Sequence, residues 1–265
     1  MLEPPSQTHD SAIPAGWDCH VHVFSPQAPV APGHYQPQVA TLETIEAKAA
    51  RCGIGHLVLV QPSVYSTDNS LMLQMLRREP GRHRGVAVVD AAATPADLQA
   101  MHEAGVRGVR FNLVSPVGNG EAALTGLAPL LREMSWHVQW YANAADLPRI
   151  ASLQQRHGLR FVLDHYAGMP VGLPADDPAW DALRRLAGEG AWIKFSAAYR
   201  LPGRATPLEL TAHSERLASV FKTHVVWGSD WPHTSFASGG QPLYASLTTR
   251  AEAARLHLQA AQLYA

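Results

Sequence analysis

Cysteine is nearly missing from this chain. Cys19 and Cys52 are the only two in 265 residues, which excludes a disulfide framework and suits a reducing cytoplasm. An excess of one charge is missing too: the formal net charge is −1, which gives no electrostatic footprint for nucleic acid or an anionic membrane surface. No apolar run approaches the ~18 residues that a membrane helix needs. No Gly-x-Gly-x-x-Gly or Gly-x-x-x-x-Gly-Lys-Ser/Thr follows an early strand, which weakens dinucleotide and phosphate-loop readings. Residues 1–15 are polar and proline-bearing, without the basic-then-apolar pattern of a secretory signal. They read as a flexible tail ahead of one domain over 16–265.

What is present is a large apolar fraction, 46%, arranged in a repeating pattern. Short β-branched runs alternate with alanine- and leucine-rich stretches. The strand candidates are Trp17–Val23, His56–Gln61, Gly85–Asp90, Val106–Asn112, Trp136–Asn143, Arg160–His165, Trp192–Ser196 and His224–Gly228. Between them lie helical candidates at Leu42–Arg51, Ser70–Arg78, Pro95–Ala104, Gly126–Met134, Leu147–His157, Asp177–Ala187, Leu208–Val220 and Pro242–Leu263. Near-continuous apolar strands separated by helices imply a parallel sheet covered by helices. Eight such units at this length favour an α/β fold of the closed (β/α)8, or TIM-barrel, kind over an open doubly wound sheet.

The first strand carries the most informative run, Trp17-Asp18-Cys19-His20-Val21-His22-Val23. Strand alternation predicts Asp18, His20 and His22 on one face and Cys19, Val21 and Val23 on the other. Taken alone, the pair His20/His22 reads as two histidines satisfied by buried hydrogen bonds. In a barrel, however, chemistry sits at the carboxyl ends of the strands, and seven of the eight candidate strands end in polar groups. These are His20 and His22, then Gln61-Pro62-Ser63, Arg110 and Asn112, Tyr141, Asp164-His165, Tyr199-Arg200, and Asp230 with His233 just beyond. Individually, Arg110 could pair with a surface acid, Ser63 could form a turn, and Asp230 could cap one. His34, His83, His102 and His213 carry no spacing argument and are expected to be exposed.

The ordered set resembles the amidohydrolase superfamily (amidohydrolase 2 type), in its branch of 2-pyrone-4,6-dicarboxylate lactonase and sugar lactonases. The resemblance rests on Asp18-x-His20-x-His22, Val60-Gln61-Pro62-Ser63 with Thr67-Asp68-Asn69, Gly105-Val106-Arg107-Gly108-Val109-Arg110-Phe111-Asn112, Asp164-His165, and Gly228-Ser229-Asp230-Trp231-Pro232-His233. It implies a (β/α)8 barrel and a hydrolase that opens a lactone, or similar ester, of a small carboxylated substrate. Asp230 would activate water, while His20, His22 and His165 would surround the scissile carbonyl and stabilise the oxyanion. Arg110 and Arg200 would hold substrate carboxylates with Ser63, Tyr35 and Tyr141. His233 would bind substrate or stand behind those that do. The arginines expected after the strand-four motif and after the strand-six histidine are replaced by Pro116 and Tyr166-Ala167-Gly168-Met169. That departure favours a lactone with one acid group or hydroxyls.

His20, His22, His165 and Asp230 could bind one Zn²⁺. The strand-four lysine that bridges two metals elsewhere in the superfamily is missing, since the lysines are Lys48, Lys194 and Lys222. His137 lies four residues before Tyr141, about 13 Å deeper at the usual strand rise, and cannot stand in for the strand-five histidine of other members. The expectation is therefore hydrolysis with no required cofactor. Two alternatives stay open: a zinc-dependent decarboxylase of the same superfamily, and a non-catalytic barrel that binds carboxylates. The partner is a small carboxylate or lactone, with no nucleic acid and no membrane, in a monomer or homo-oligomer. The loop Ser25–Thr41, rich in proline and bearing His34 and Tyr35, is either a semi-rigid cover over the rim or a passive surface loop.

Overall fold

Eight parallel strands pair in simple sequence order, β1 to β8, each followed by a helix. The computed structural model describes residues 13–31, 35–114, 120–203, 205–234 and 250–265, the side chains of 250–255 excepted. His34, Pro116, most of the expected tail, and residues 242–249 of the expected last helix lie outside the described residues. The strands are β1 Gly16–Val21, β2 Ile54–Val60, β3 Arg84–Ala87, β4 Val106–Asn112, β5 His137–Tyr141, β6 Phe161–Leu163, β7 Trp192–Ser196 and β8 Val225–Gly228. The helices are α1 Leu42–Ala50, α2 Ser70–Arg78, α3 Pro95–Glu103, α4 Glu121–Glu133, α5 Leu147–His157, α6 Pro178–Gly188, α7 Pro207–Phe221 and α8 Arg250–Tyr264. The circle closes just past β8, where Asp230 N donates to His20 O and His22 N to Trp231 O, each at 2.8 Å. This is the (β/α)8 barrel that the alternation implies. No helix among the described residues is long and apolar enough to cross a membrane.

Local chemistry sets the helix starts. Thr94 with Asp97, and Thr206 with Glu209, form reciprocal capping boxes, each followed by proline at the first helical position. Helix α4 begins five residues before the expected Gly126, because Gly120 serves as its N-cap and Gly126 is carried inside the helix. Several strands end sooner than expected. Asp164 and His165 follow β6 in a short 3-10 turn, so the polar groups stand on the rim beyond the ladder.

One expectation fails in β1, and the failure positions the site. Its register against β2 runs Asp18↔Leu57 and then Val21↔Leu59, so Cys19 and His20 together oppose Val58. This is a β-bulge, which places two consecutive residues on one face. Cys19 therefore packs in an inner cluster with Trp17, Val58, Val60, Val86 and Tyr264. His20 joins His22 at the polar centre. Asp18 turns away from them and accepts the Ser229 N–H at 2.9 Å. The predicted shared face of Asp18, His20 and His22 is thus corrected. Helix packing outside the sheet forms the larger apolar cluster, with Leu57, Leu59, Val109, Val138 and Ile193 facing it.

The remaining histidines are corrected as well. His83 is buried, with Nε2 2.9 Å from Glu46 and Nδ1 accepting the Leu57 N–H. His213 is buried, and half-buried His102 accepts from the Trp136 indole at 3.0 Å. His83 and His102 each supply a hydrogen-bond partner to a group that packing would otherwise leave unpaired.

Candidate active site

At the carboxyl ends of the strands lies a cavity of about 230 Å³. Of the residues expected at the site, His22, Tyr35, Ser63, Arg110, Tyr141, His165, Arg200 and Asp230 line it. His20 is fully buried and reaches the same centre. His233 does not line the cavity: its Nε2 donates to Ser229 O at 3.2 Å and its ring meets Tyr199 edge-on. A larger and more open depression of about 610 Å³, lined by Arg160, Glu189, Trp192 and His224, lies at the amino ends of β6–β8. It gathers no buried acid or cluster of imidazoles, whereas the rim cavity gathers both.

Asp230 organises the rim. Its Oδ1 is 3.4 Å from His20 Nε2, 3.4 Å from His22 Nε2 and 3.9 Å from His165 Nε2. Its Oδ2 accepts Arg200 Nε at 2.9 Å and the Tyr199 hydroxyl. The two oxygens are therefore unlike: Oδ2 is held by donors, whereas Oδ1 has no hydrogen-bond partner among the described residues. Burial pushes this carboxyl up, but His165, His22, Arg200 and His20 outweigh it and hold the group well below the usual carboxylate range. Asp230, His165 and His233 all sit at positive φ (59°, 50° and 62°), a strained setting for residues with a Cβ. At position 228 only glycine fits, because a Cβ there would come within 2.6 Å of His20 Cβ.

The other ring nitrogens decide what each imidazole offers. His22 Nδ1 is 2.8 Å from Val60 O, which only accepts, so Nδ1 carries a proton. In the neutral ring, its Nε2 lone pair then faces Asp230. His20 Nδ1 lies 3.3 Å from Asp164 Oδ1 without a hydrogen bond, and the carboxylate charge favours a proton on that nitrogen. His165 differs. Its Nδ1 is 2.9 Å from the Ser196 hydroxyl, which can donate and so leave the proton on Nε2. Burial drives His20 well below its ordinary value and His165 down to about 4, so both rings are neutral at pH 7.

Beneath the rim is a network that the motifs do not announce. Asp164 Oδ2 accepts Arg110 Nε at 3.1 Å and Gln139 Nε2 at 2.9 Å. Lys194 Nζ donates to Cys19 O at 2.8 Å and Gln139 Oε1 at 2.7 Å, and lies 3.7 Å from Asp164 Oδ1. Burial raises Asp164, yet His20, Lys194 and Arg110 prevail and hold it well below the usual range. Asp164, Tyr199, Gln139 and Lys194 carry no role in the sequence reading. The signal available for Lys194 was a lysine at the centre of an otherwise apolar strand, Trp192-Ile193-Lys194-Phe195. His137 sits on the barrel floor, edge-on to Tyr264, as its spacing from Tyr141 implies.

Two orphaned groups, His20 Nε2 and Asp230 Oδ1, face each other with the His22 nitrogen beside them. Lone pairs meeting lone pairs in a buried place form a donor set that fits one divalent cation. His20, His22 and Asp230 would hold it. His20, Asp164 and His165 form a second overlapping group.

A (β/α)8 barrel with paired imidazoles at the end of β1, another after β6 and a carboxylate after β8 defines a class of enzymes that act at the strand ends. The chain belongs to the amidohydrolase family, which residues 17–263 match, and is a hydrolase of that family. It is 32% identical over 238 residues to 2-pyrone-4,6-dicarboxylate hydrolase of Comamonas testosteroni, covering 83% of this chain and 78% of that one. It is 30% identical over 235 residues to 4-sulfomuconolactone hydrolase of Rhizobium radiobacter, covering 85% and 78%. Among solved structures, a probable 2-pyrone-4,6-dicarboxylic acid hydrolase from Acinetobacter baumannii, with citric acid bound, superposes with a TM-score of 0.80 at 26% identity, covering 94% of this chain and 99% of that chain.

Proposed function

We propose that the chain opens the ring ester of a small carboxylated lactone, with Asp230 accepting the proton of the attacking water. The observation that carries this reading is the convergence of three imidazole Nε2 atoms on one free carboxylate oxygen inside a rim cavity. The two hydrolase relatives, one named for a pyrone dicarboxylate and one for a sulfonated lactone, support it.

Water on the Asp230 side attacks the lactone carbonyl carbon, and its proton passes to Oδ1 as the new C–O bond forms. Because Asp230 is ionised but weakly basic, transfer follows the rise in acidity of the attacking water rather than preceding it. The carbonyl electron pair moves onto oxygen. There, His165 Nε2–H is the suited donor, while a lone pair on His20 or His22 Nε2 accepts the second hydrogen of the water and holds it in line. Collapse of the tetrahedral species breaks the ring C–O bond, and the departing ring oxygen takes the proton back from Asp230. The neutral rings remove one difficulty: cationic imidazoles beside Asp230 would weaken it further as a base. A bound Zn²⁺ would supply Lewis acidity and a more acidic water. In this reading the residues present carry the reaction without requiring one.

The test is proton release on a lactone panel, with and without chelator, for the native chain and Asp230→Asn. The general base and the oxyanion donors are each worth about 10² to 10⁴ in rate. Asp230→Asn is expected to lose at least the general-base share while keeping its circular-dichroism spectrum. An active Asn variant would remove Asp230 from this role. The facing lone pairs also favour a second reading, the zinc-dependent decarboxylase. Stoichiometric zinc in the purified protein, with carbon dioxide release that stops on its removal, would establish that reading instead.

A further inference from the structure

Three imidazoles face the free oxygen of Asp230, and their far nitrogens meet different partners. His22 Nδ1 meets the Val60 carbonyl, which can only accept, and His20 Nδ1 lies beside the Asp164 carboxylate. His165 Nδ1 meets the Ser196 hydroxyl at 2.9 Å. Ser196 ends β7, where strand alternation puts Trp192, Lys194 and Ser196 on the inner face and Ile193 and Phe195 on the outer. Its buried side chain therefore stands at the rim, two residues above Lys194. Tyr141, edge-on with centroids 4.9 Å apart, and His20, at 4.7 Å, pack against the His165 ring and limit its turning.

A hydroxyl carries one hydrogen, and here that hydrogen decides the tautomer. The bond to His165 is the only one that Ser196 Oγ makes among the described residues. If Nδ1 held the ring proton, Oγ would accept it and the hydroxyl hydrogen would be buried without an acceptor, a cost of about 1–3 kcal/mol. Donation to Nδ1 leaves only spare lone pairs, a milder loss. The opposite end of the ring agrees. His165 Nε2 lies 3.9 Å from Asp230 Oδ1, where a hydrogen is attracted and a lone pair repelled.

Resting on the hydrolysis reading, we propose that Ser196 is a positioning residue: its hydroxyl donates to His165 Nδ1 and makes His165 Nε2 the one N–H among the imidazole nitrogens that face Asp230 Oδ1. His20 and His22 keep lone pairs for the water, and His165 keeps a hydrogen for the carbonyl oxygen as it gains charge. No ring has to be cationic. A carbonyl in place of the hydroxyl, as at His22, would give His165 the opposite tautomer and leave no imidazole donor.

Imidazole nitrogen NMR on the full chain without substrate reads the tautomer directly, the His165 signals being identified by their loss in His165→Gln. The hydrogen is expected on Nε2 in the native chain and in Ser196→Thr, which keeps the hydroxyl on a residue suited to a strand. Ser196→Ala is expected to move part of the population to Nδ1–H. Its kcat is expected to fall at least about tenfold, within the about 10² to 10³ that one oxyanion donor is worth, while KM stays close to native. Ser196→Thr is expected to keep most of the native kcat. Ser196→Cys, whose thiol is a weak donor, is expected to fall between the two and serves if the Ala variant does not fold. A hydrogen on Nδ1 in the native chain overturns the proposal, as does a Ser196→Ala variant with either the native spectrum or the native kcat. A folded Thr variant as slow as Ala would show a packing role and overturn it too. If no lactone is turned over, the hydrolysis reading fails instead, and the spectra of the native chain and Ser196→Ala alone decide what the hydroxyl does.

Discussion

Two fully buried carboxylates, Asp230 at the rim and Asp164 one layer below, differ in where their cations lie within the same barrel. Asp164 has a cation at each oxygen: Oδ2 accepts from Arg110 and Gln139, and Oδ1, without a hydrogen bond among the described residues, lies 3.7 Å from the Lys194 ammonium. Asp230 has donors only on Oδ2, and its Oδ1 faces imidazole nitrogens at 3.4 Å with no hydrogen bond among the described residues. Pairing makes Asp164 a support that fixes the His20 ring and keeps Arg110 in place. With its cation on Oδ2 and only imidazoles beside Oδ1, Asp230 keeps an oxygen able to accept a proton. The lower layer uses its charges to hold the upper layer in an unsatisfied state, which a relaxed structure would abandon.

The strongest way to break this comparison is to disturb the lower layer. Lys194→Met removes the ammonium while keeping most of its volume, leaving Asp164 with one cation. Removing one partner of a buried pair costs about 3–5 kcal/mol. Pairing it with Asp164→Asn removes the stranded charge, so the double variant is expected to recover much of that loss in urea denaturation. Additive losses in the two variants would show that Lys194 and Asp164 do not sense each other, and the layered account would fail.

The sequence shows the upper layer more readily than the lower. His20, His22, His165 and Asp230 stand in short motifs at strand ends, where the barrel rule alone places them together. The β1 bulge is not legible, because it depends on register against β2, and no residue of β1 marks it. The Lys194 contacts join residues 55 and 175 positions apart, and nothing local points to either partner. Arg200 follows β7 and lines the rim cavity. Its bond to Asp230 depends on how the loop after β7 folds back, which residue type does not determine.

A pH series sharpens the comparison from the imidazole side. His165 in the upper layer is held down to about 4, and His137 on the floor to about 3, both by burial. Their unfolded values lie near 6.5, so below that pH the unfolded chain binds protons that the folded one refuses. Stability is therefore full above about 6.5 and falls as pH drops toward 4, by about 2 kcal/mol per such histidine between pH 6.5 and 5. Asp18, raised to about 6 by burial, works the other way below that value. The buried rings outnumber it, so the urea midpoint is expected to fall from pH 7 to pH 5. An unchanged midpoint would mean that the rings are already charged in the folded protein.

The smallest expected effect addresses what holds Oδ2. Tyr199 donates its hydroxyl there, its phenol kept neutral because burial and the neighbouring Asp230 charge both oppose ionisation. Its ring also lies 5.1 Å from the Arg200 guanidinium carbon, stacking the two donors together. Tyr199→Phe deletes one hydrogen bond and keeps the ring. If that donor served only to lower the charge on Asp230, its loss would make the carboxylate more basic and turnover faster. If it aims Oδ1 at the water, kcat is expected to fall about tenfold, the worth of one hydrogen bond to a charged group, while KM stays close to that of the native chain. The sign of the change in kcat therefore separates tuning from aiming, and the unlike oxygens of Asp230 require aiming.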